Sequence, residues 1–294
     1  MLYDIRLKLS YRYQGLVGGS RHQLRVAPPS IEGVQRVFSQ SLSIDPWPTE
    51  QSGFTDFFGN AVTAFANRDP HDRLDVTMET RVEVTRPEPS LDVSADLDGL
   101  AADIAASHSL APQSPHHFLH QGNYTPQTEE MTAYARECTQ DSPSVLALAD
   151  RLCRRIKDEF HYDGTATTVT TTAAEAFAGK SGVCQDFSHV MIAALLGLGV
   201  PAGYVSGCLR TEPPEGEERL EGADAMHAWV KVWCGRESGW QEFDPTNGIP
   251  ASSDHITIGH GRDYADVTPI LGMLKTAGEQ SAAQAVDVIP VKSS

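Results

Sequence analysis

The sequence predicts an α+β protein, with an N-terminal antiparallel β-sandwich or barrel followed by a region that mixes helices, one of them beginning at a cysteine, with further strands. Three observations carry this expectation. The first 90 residues break into short alternating segments, "YDIRLKLSYRY", "HQLRVAP", "QRVFSQSLSI", "NAVTAFAN" and "DRLDVTMETRVEVTR", punctuated by Gly, Pro, Asn and Asp. Such spacing is that of an antiparallel sandwich or barrel. Two later stretches carry helical periodicity, and three more, "AGYVSGCLR", "MHAWVKVWC" and "GWQEFDPTNG", read as strands.

The elements follow in chain order. Two prolines in "RPEPS" (Arg86 to Ser90) end the last N-terminal strand, which sets a boundary near residue 90. Residues 91–140 form a mixed, helical connecting region in which Thr125-Pro126 opens one helix over "TPQTEEMTAYARECTQ". In residues 141–268, Ser142-Pro143 opens a clearer helix, with Val145, Leu148, Leu152, Ile156 and Phe160 at spacings of three and four. A second stripe of Phe187, Val190, Met191, Ala194, Leu195 and Leu198 follows Cys184 and puts the thiol on the inward face of its helix. Gly197, Gly199 and Pro201 stop that helix. Residues 269–294 make a C-terminal segment that offers "SAAQAVDVIPV" as a last strand.

Composition narrows the function. A net charge of −16 over 294 residues repels a phosphate backbone, so nucleic acid is not an expected partner. No apolar run approaches the ~20 residues that span a bilayer, and the alternating N-terminus reads as a strand, not a secretion signal. The expected address is the cytoplasm. Five widely spaced cysteines without a CxxC pair (Cys138, Cys153, Cys184, Cys208 and Cys234) suit a reducing compartment better than disulfides or a zinc knuckle. His116 and His120 are four apart, yet the prolines around them argue for a loop and no third ligand is specified, so no metal site is expected.

Cys184 sits where a glycine turn meets a helix start, in "SGVCQDFSHV". Unpaired N–H groups and the positive end of the macrodipole favour a thiolate there. In "HAWVKVW", alternation puts His227, Trp229, Lys231 and Trp233 on one strand face, and in "WQEFD", Trp240, Glu242 and Asp244 share another. A hairpin with its loop at residues 234–237 pairs position i with 471 − i and sets His227 opposite Asp244. Moving the turn outward by one residue on each side makes them diagonal neighbours on the same face, within ~7–8 Å, whereas an odd-length loop separates them onto opposite faces. Thiol, imidazole and carboxylate are the parts of a nucleophilic triad. The backbone N–H of Cys184 is the first oxyanion donor, and Gln185 and Tyr162 are candidates for the second. Each residue alone has a plainer reading: a core cysteine, a half-buried strand histidine and an Asp-Pro turn.

The blocks "GVCQDFSHVMIAALLGLGVPAGYVSG", "HAWVKVW", "GWQEFDPTNG" and "GRDYADVTPILG" resemble the bacterial transglutaminase-like family, a branch of the papain-like cysteine enzymes. Tyr11, Tyr13, Ser20, His22, Leu24 and Arg25 match its N-terminal region. The resemblance implies a papain-like transglutaminase core behind the sandwich, with Cys184 as nucleophile, His227 as base and Asp244 as orienting carboxylate. It departs at Gly203, where relatives commonly carry Arg, and at Cys208, where they carry an aromatic. Tyr264 of "GRDYADV" is a further cleft candidate. The family implies attack on a peptide or protein amide through a Cys184 thioester, most often as protease or amidase, with transfer to an amine as an alternative. That chemistry requires no metal or organic cofactor. A different class of reading is a non-catalytic scaffold that binds peptides in the same cleft.

Overall fold

The alternation of the N-terminal region becomes six strands: β1 (Leu2–Val17), β2 (Ser20–Leu24), β3 (Gln35–Asp45), β4 (Glu50–Thr55), β5 (Ala61–Asn67) and β6 (His71–Val84). The computed structural model describes residues 1–86, 91–141, 144–211, 224–275 and 278–291. Most of the "RPEPS" break and the Ser142-Pro143 pair therefore lie outside the described residues. Along β1, Tyr3, Ile5, Leu7 and Leu9 turn inward at every second position, and across from them Leu74, Val76, Met78 and Val82 of β6 do the same. The edge strand β4 has no buried residue, which is why no alternation announces it.

Two late strands complete these sheets. β14 (Ile270–Leu274) pairs with β2, and β15 (Gln280–Pro290) pairs with the free edge of β1. The sheets are ordered β15-β1-β6-β3 and β14-β2-β5-β4, and every pairing in them is antiparallel. Both ends of the chain therefore build the same region.

The connecting region holds α1 (Leu97–Ala105), a 3-10 turn at Pro115–Phe118 and α2 (Glu129–Glu137). Thr128, rather than Thr125, caps α2, because its hydroxyl accepts the Met131 N–H while Glu129 and Glu130 fill the first turn. Ser144 likewise caps α3 (Val145–Glu159) by accepting from Ala147, and Thr172 with Glu175 forms a capping box on α4 (Ala173–Gly179). The His116 ring meets the Ser107 carbonyl at 2.7 Å, and His120 is exposed.

Beyond them come the short parallel pair β7 (His161–Tyr162) and β8 (Ser181–Gly182), then α5 (Cys184–Gly197). The last sheet holds β9 (Ala202–Leu209), β10 (Ala225–Trp233), β11 (Trp240–Asp244), β12 (Ile249–Pro250) and β13 (His255–Gly261), in the order β12-β11-β10-β9-β13. The expected apolar stripe of α5 is in fact a buried circumference: Gln185 to Leu196 are all inside, between α2, α3 and α4 on one side and β9 and β10 on the other. Among the described residues, no helix is long and apolar enough to cross a membrane.

The core sheet is covered on both faces. Ala202, Tyr204, Val230 and Val232 pack with the helices, whereas Cys208, Ile256 and Ile258 join the sandwich core of Tyr3, Leu7 and Val82. Polar bonds stitch the same seam. Gln35 bonds both backbone groups of Thr257 at 2.9 Å, and Asn60 bonds both of His260. Little room is left where strands meet side chains. A Cβ at Gly207 would collide with the Ile256 carbonyl and the Trp229 ring, and one at Gly203 with Phe118. Gly207→Ala is therefore expected to cost about 1–3 kcal/mol through overpacking, seen as a lower urea midpoint with an unchanged slope.

Candidate active site

Gly182, Val183 and Cys184 make the corner between β8 and α5. Gly182 has a φ of +153°, and a Cβ there would run into the Asp186 carboxylate. Asp186 Oδ2 accepts the Val183 N–H at 2.8 Å and the Thr167 hydroxyl at 2.6 Å, which pins the first turn. As the first residue of the helix, Cys184 turns its N–H outward, with no intrahelical acceptor. All five cysteines are free, and Cys184 alone is not fully buried. Burial raises the thiols of Cys138, Cys153, Cys208 and Cys234, that of Cys208 to about 12.

The hairpin brings the other two residues together. Its loop is six residues long, 234–239, and not four. Trp233 opposes Trp240, so position i pairs with 473 − i. Gly235 and Gly239, with φ of +97° and +61°, make the wider turn, closed by Cys234 N–H to the Gly239 carbonyl and Gly239 N–H to the Gly235 carbonyl, both 2.8 Å. The two-residue shift preserves parity. His227 and Asp244 become diagonal neighbours on one face and still meet, Nε2 to Oδ2, at 2.7 Å. The same diagonal joins Trp229 Nε1 to Glu242 at 2.5 Å, and sets Lys231 over the Trp240 ring at 4.4 Å.

Asp244 is fully buried, yet surrounded by donors. Oδ2 takes His227, the Asn247 amide at 2.6 Å and His255 Nε2 at 3.1 Å, while Oδ1 takes the backbone N–H groups of Thr246 and Asn247. Burial opposes its charge, but these bonds prevail and hold the carboxyl far below the usual carboxylate range. For His227, burial again disfavours the charge, and hydrogen bonds to Asp244 and the Cys184 side chain outweigh it, raising the ring to about 10. With Nε2 facing Asp244, Nδ1 is left to the thiol. His227, Asp244 and His255 are spaced as metal ligands could be. Nevertheless, the Ser252 N–H on His255 Nδ1 leaves a proton on Nε2, aimed at the carboxylate, so the trio reads as donors around an acceptor.

His227 opens onto a cleft of about 300 Å³ lined also by Lys157, Tyr162, Leu209, Thr211 and Asn247. A wider open groove of about 550 Å³ crosses the outer face of the β14-β2-β5-β4 sheet, but the imidazole reaches only the smaller one. Tyr162 is 54% exposed at the rim of the same cleft, and its hydroxyl is raised by burial and then by the Cys184 charge. Gln185 turns away, its amide donating to the Val169 carbonyl at 3.1 Å.

Tyr264 lies on the buried flank of α5, with its N–H on His189 Nε2 at 3.2 Å and its ring near Tyr204 and Tyr124. The "GRDYADV" block thus has a structural role. Asp263 caps α6 (Tyr264–Val267), Arg262 pairs with Asp266 at 2.9 Å, and the turn docks on the cysteine helix through His189.

His255, Asn247 and Ser252 escaped the sequence reading. Asn247, three residues after Asp244 in a "DPTNG" turn, had a local signal. His255 had none, because the chain crosses from one edge of the sheet to the other between β12 and β13 before this ring arrives.

Ionised His227 is favoured by the fold, since its folded value exceeds the ordinary 6.5. Its stabilisation is therefore complete below about pH 6.5 and fades as pH rises through about 10. Unfolding measurements on His227→Ala should show a larger deficit near pH 6 than above about pH 10, and NMR of the native ring should show imidazolium across neutral pH.

Comparison with known proteins agrees with this architecture. The model of the bacterial transglutaminase-like N-terminal region matches residues 3–83, and that of the transglutaminase-like superfamily matches residues 132–245. An uncharacterised protein of Mycobacterium tuberculosis is 35% identical over 98% of this chain and 92% of its own length, and one of Mycobacterium leprae is 29% identical over 95% of each. The crystal structure of a candidate cysteine protease from Cytophaga hutchinsonii superposes with a TM-score of 0.74 at 19% identity, covering 100% of this chain and 92% of that one, and shares the fold. With sandwich, core and full-length relatives in agreement, the chain belongs to the bacterial transglutaminase-like family.

Proposed function

We propose that the protein is a cysteine-dependent hydrolase of peptide or protein amides. The observation that carries this reading is the 2.7 Å bond from His227 to the buried Asp244, with the Cys184 side chain acting on the same imidazole. The Cys184 thiolate attacks the carbonyl carbon, and the negative charge moves onto the carbonyl oxygen beside the Cys184 N–H. The Tyr162 hydroxyl is the second donor we assign to that oxygen, since it lines the cleft beside His227 and feels the Cys184 charge. As the tetrahedral species collapses, imidazolium gives its proton to the departing amine and a Cys184 thioester remains. Water then loses a proton to His227, attacks the thioester, and releases the acid while the thiol is restored.

Asp244 keeps its charge throughout and holds the ring's orientation. An intact, donor-saturated carboxylate supports catalysis over a scaffold role, because peptide binding alone makes no use of it. We place the reaction in the cytoplasm, in keeping with five unpaired thiols.

Iodoacetamide labelling read by peptide mass spectrometry tests the proposal. Cys184 should react selectively below pH 7, because burial holds the other four thiols protonated, and His227→Ala should abolish that selectivity. Uniform labelling of all five cysteines only at high pH would sink the reading. On a glutamine-containing peptide library, Cys184→Ala should lower turnover by about 10⁴-fold or more. Incorporation of a labelled amine in place of release would reassign the second step to transfer.

A further inference from the structure

Asp244 Oδ2 receives a second imidazole that the reaction scheme does not use. His255 Nε2 lies 3.1 Å from the oxygen that His227 reaches at 2.7 Å, and its side chain is 1% exposed. Its other nitrogen fixes the tautomer. The Ser252 backbone N–H donates to Nδ1 at 3.0 Å, and an amide N–H can only donate, so Nδ1 carries no proton and Nε2 must. The His255 ring can therefore give a hydrogen bond to Asp244 but cannot accept one from a protonated Asp244.

The surroundings hold the ring in that role. Trp229 meets it edge to face at 5.2 Å and 80°, and the Trp229 indole is itself tied to Glu242. The Arg86 guanidinium pairs with Glu242 at 2.9 Å and donates to the His255 carbonyl at 3.3 Å. Backbone and ring are thus each fixed by separate partners. Because both imidazoles use one carboxylate oxygen, any rotation that takes Oδ2 from His227 also breaks the bond to His255.

We infer that His255 is a positioning residue, a neutral Nε2–H donor that locks Asp244 Oδ2 onto His227. The inference rests on the cysteine-hydrolase reading above, and its role is exerted entirely through Asp244. It makes the polar centre a tetrad, with one histidine that moves protons and one that does not.

The test compares the rate of Cys184 alkylation by iodoacetamide near pH 7 in the full chain, in His255→Phe and in His255→Gln, with the thermal midpoint of each. Phe keeps most of the ring's volume and removes the donor, whereas Gln restores an amide N–H near the Nε2 position. His255→Phe should react about tenfold more slowly, the order expected for loss of one hydrogen bond to a charged group, and His255→Gln should recover most of that loss. Equal rates in all three folded proteins, or equal loss in both variants, would overturn the inference. Should His255→Phe fail to fold, long-range ¹⁵N–¹H correlation on the unsubstituted protein decides, with the Nε2–H tautomer expected and either an Nδ1–H tautomer or an imidazolium overturning it. If the unsubstituted protein shows no selective Cys184 alkylation, the hydrolase reading fails instead, and the tautomer measurement still judges His255.

Discussion

Everything at this site depends on keeping one carboxylate ionised where no water reaches it. Asp244 is 0% exposed, and an unpaired charge in such a place would shift its pKa and neutralise. Five donors prevent that, and each comes with a structural commitment. The backbone pair requires the turn after β11, Asn247 must follow it at the right spacing, His227 needs the even hairpin register, and His255 needs the crossing to β13. The cost of burying the charge is therefore met by geometry that also aims the imidazole at the thiol. A changed register would take away His227 and the other side-chain donors together.

The N-terminal sandwich takes part in this geometry. Arg86, just after β6, holds Glu242 and the His255 carbonyl, and Glu242 in turn holds the Trp229 indole beside both histidines. Gln35 of β3 fixes Thr257, two residues on from His255. The site is built from the helix-bearing core, but one wall of its support is anchored in the sandwich.

The parts legible in the sequence were those with local signals. Cys184 stood at a turn-to-helix join, the hairpin faces followed strict alternation, and the first strands showed their buried residues at every second position. The pairing of His227 with Asp244 was legible as well, and the contacts of Trp229 with Glu242 and Lys231 with Trp240 follow the same 471 sum. The backbone register does not, because Gly235 and Gly239 widen the loop and the side chains meet diagonally. Other features had no local signature. The β4 edge buries nothing, α5 is enclosed by elements distant in sequence, and His255 reaches Asp244 only after the chain has crossed the whole sheet. Gln185 and Tyr162 are equally close to the thiol by sequence logic, and only their environments separate a side chain spent on Val169 from one that overhangs the cleft.

The return of β14 and β15 to the first strands bears on how the chain matures during synthesis. Until residues 270–290 have left the ribosome, β1 and β2 each lack a neighbour and expose a long row of unpaired backbone groups, the kind of edge on which chains associate wrongly. The helices and the core sheet, including the thiol and its partners, are made while those edges are still open. Closure of the sandwich thus waits for residues 270–290, and a product stalled or clipped before them would carry a nearly complete helix-bearing core attached to an unfinished, adhesive sandwich.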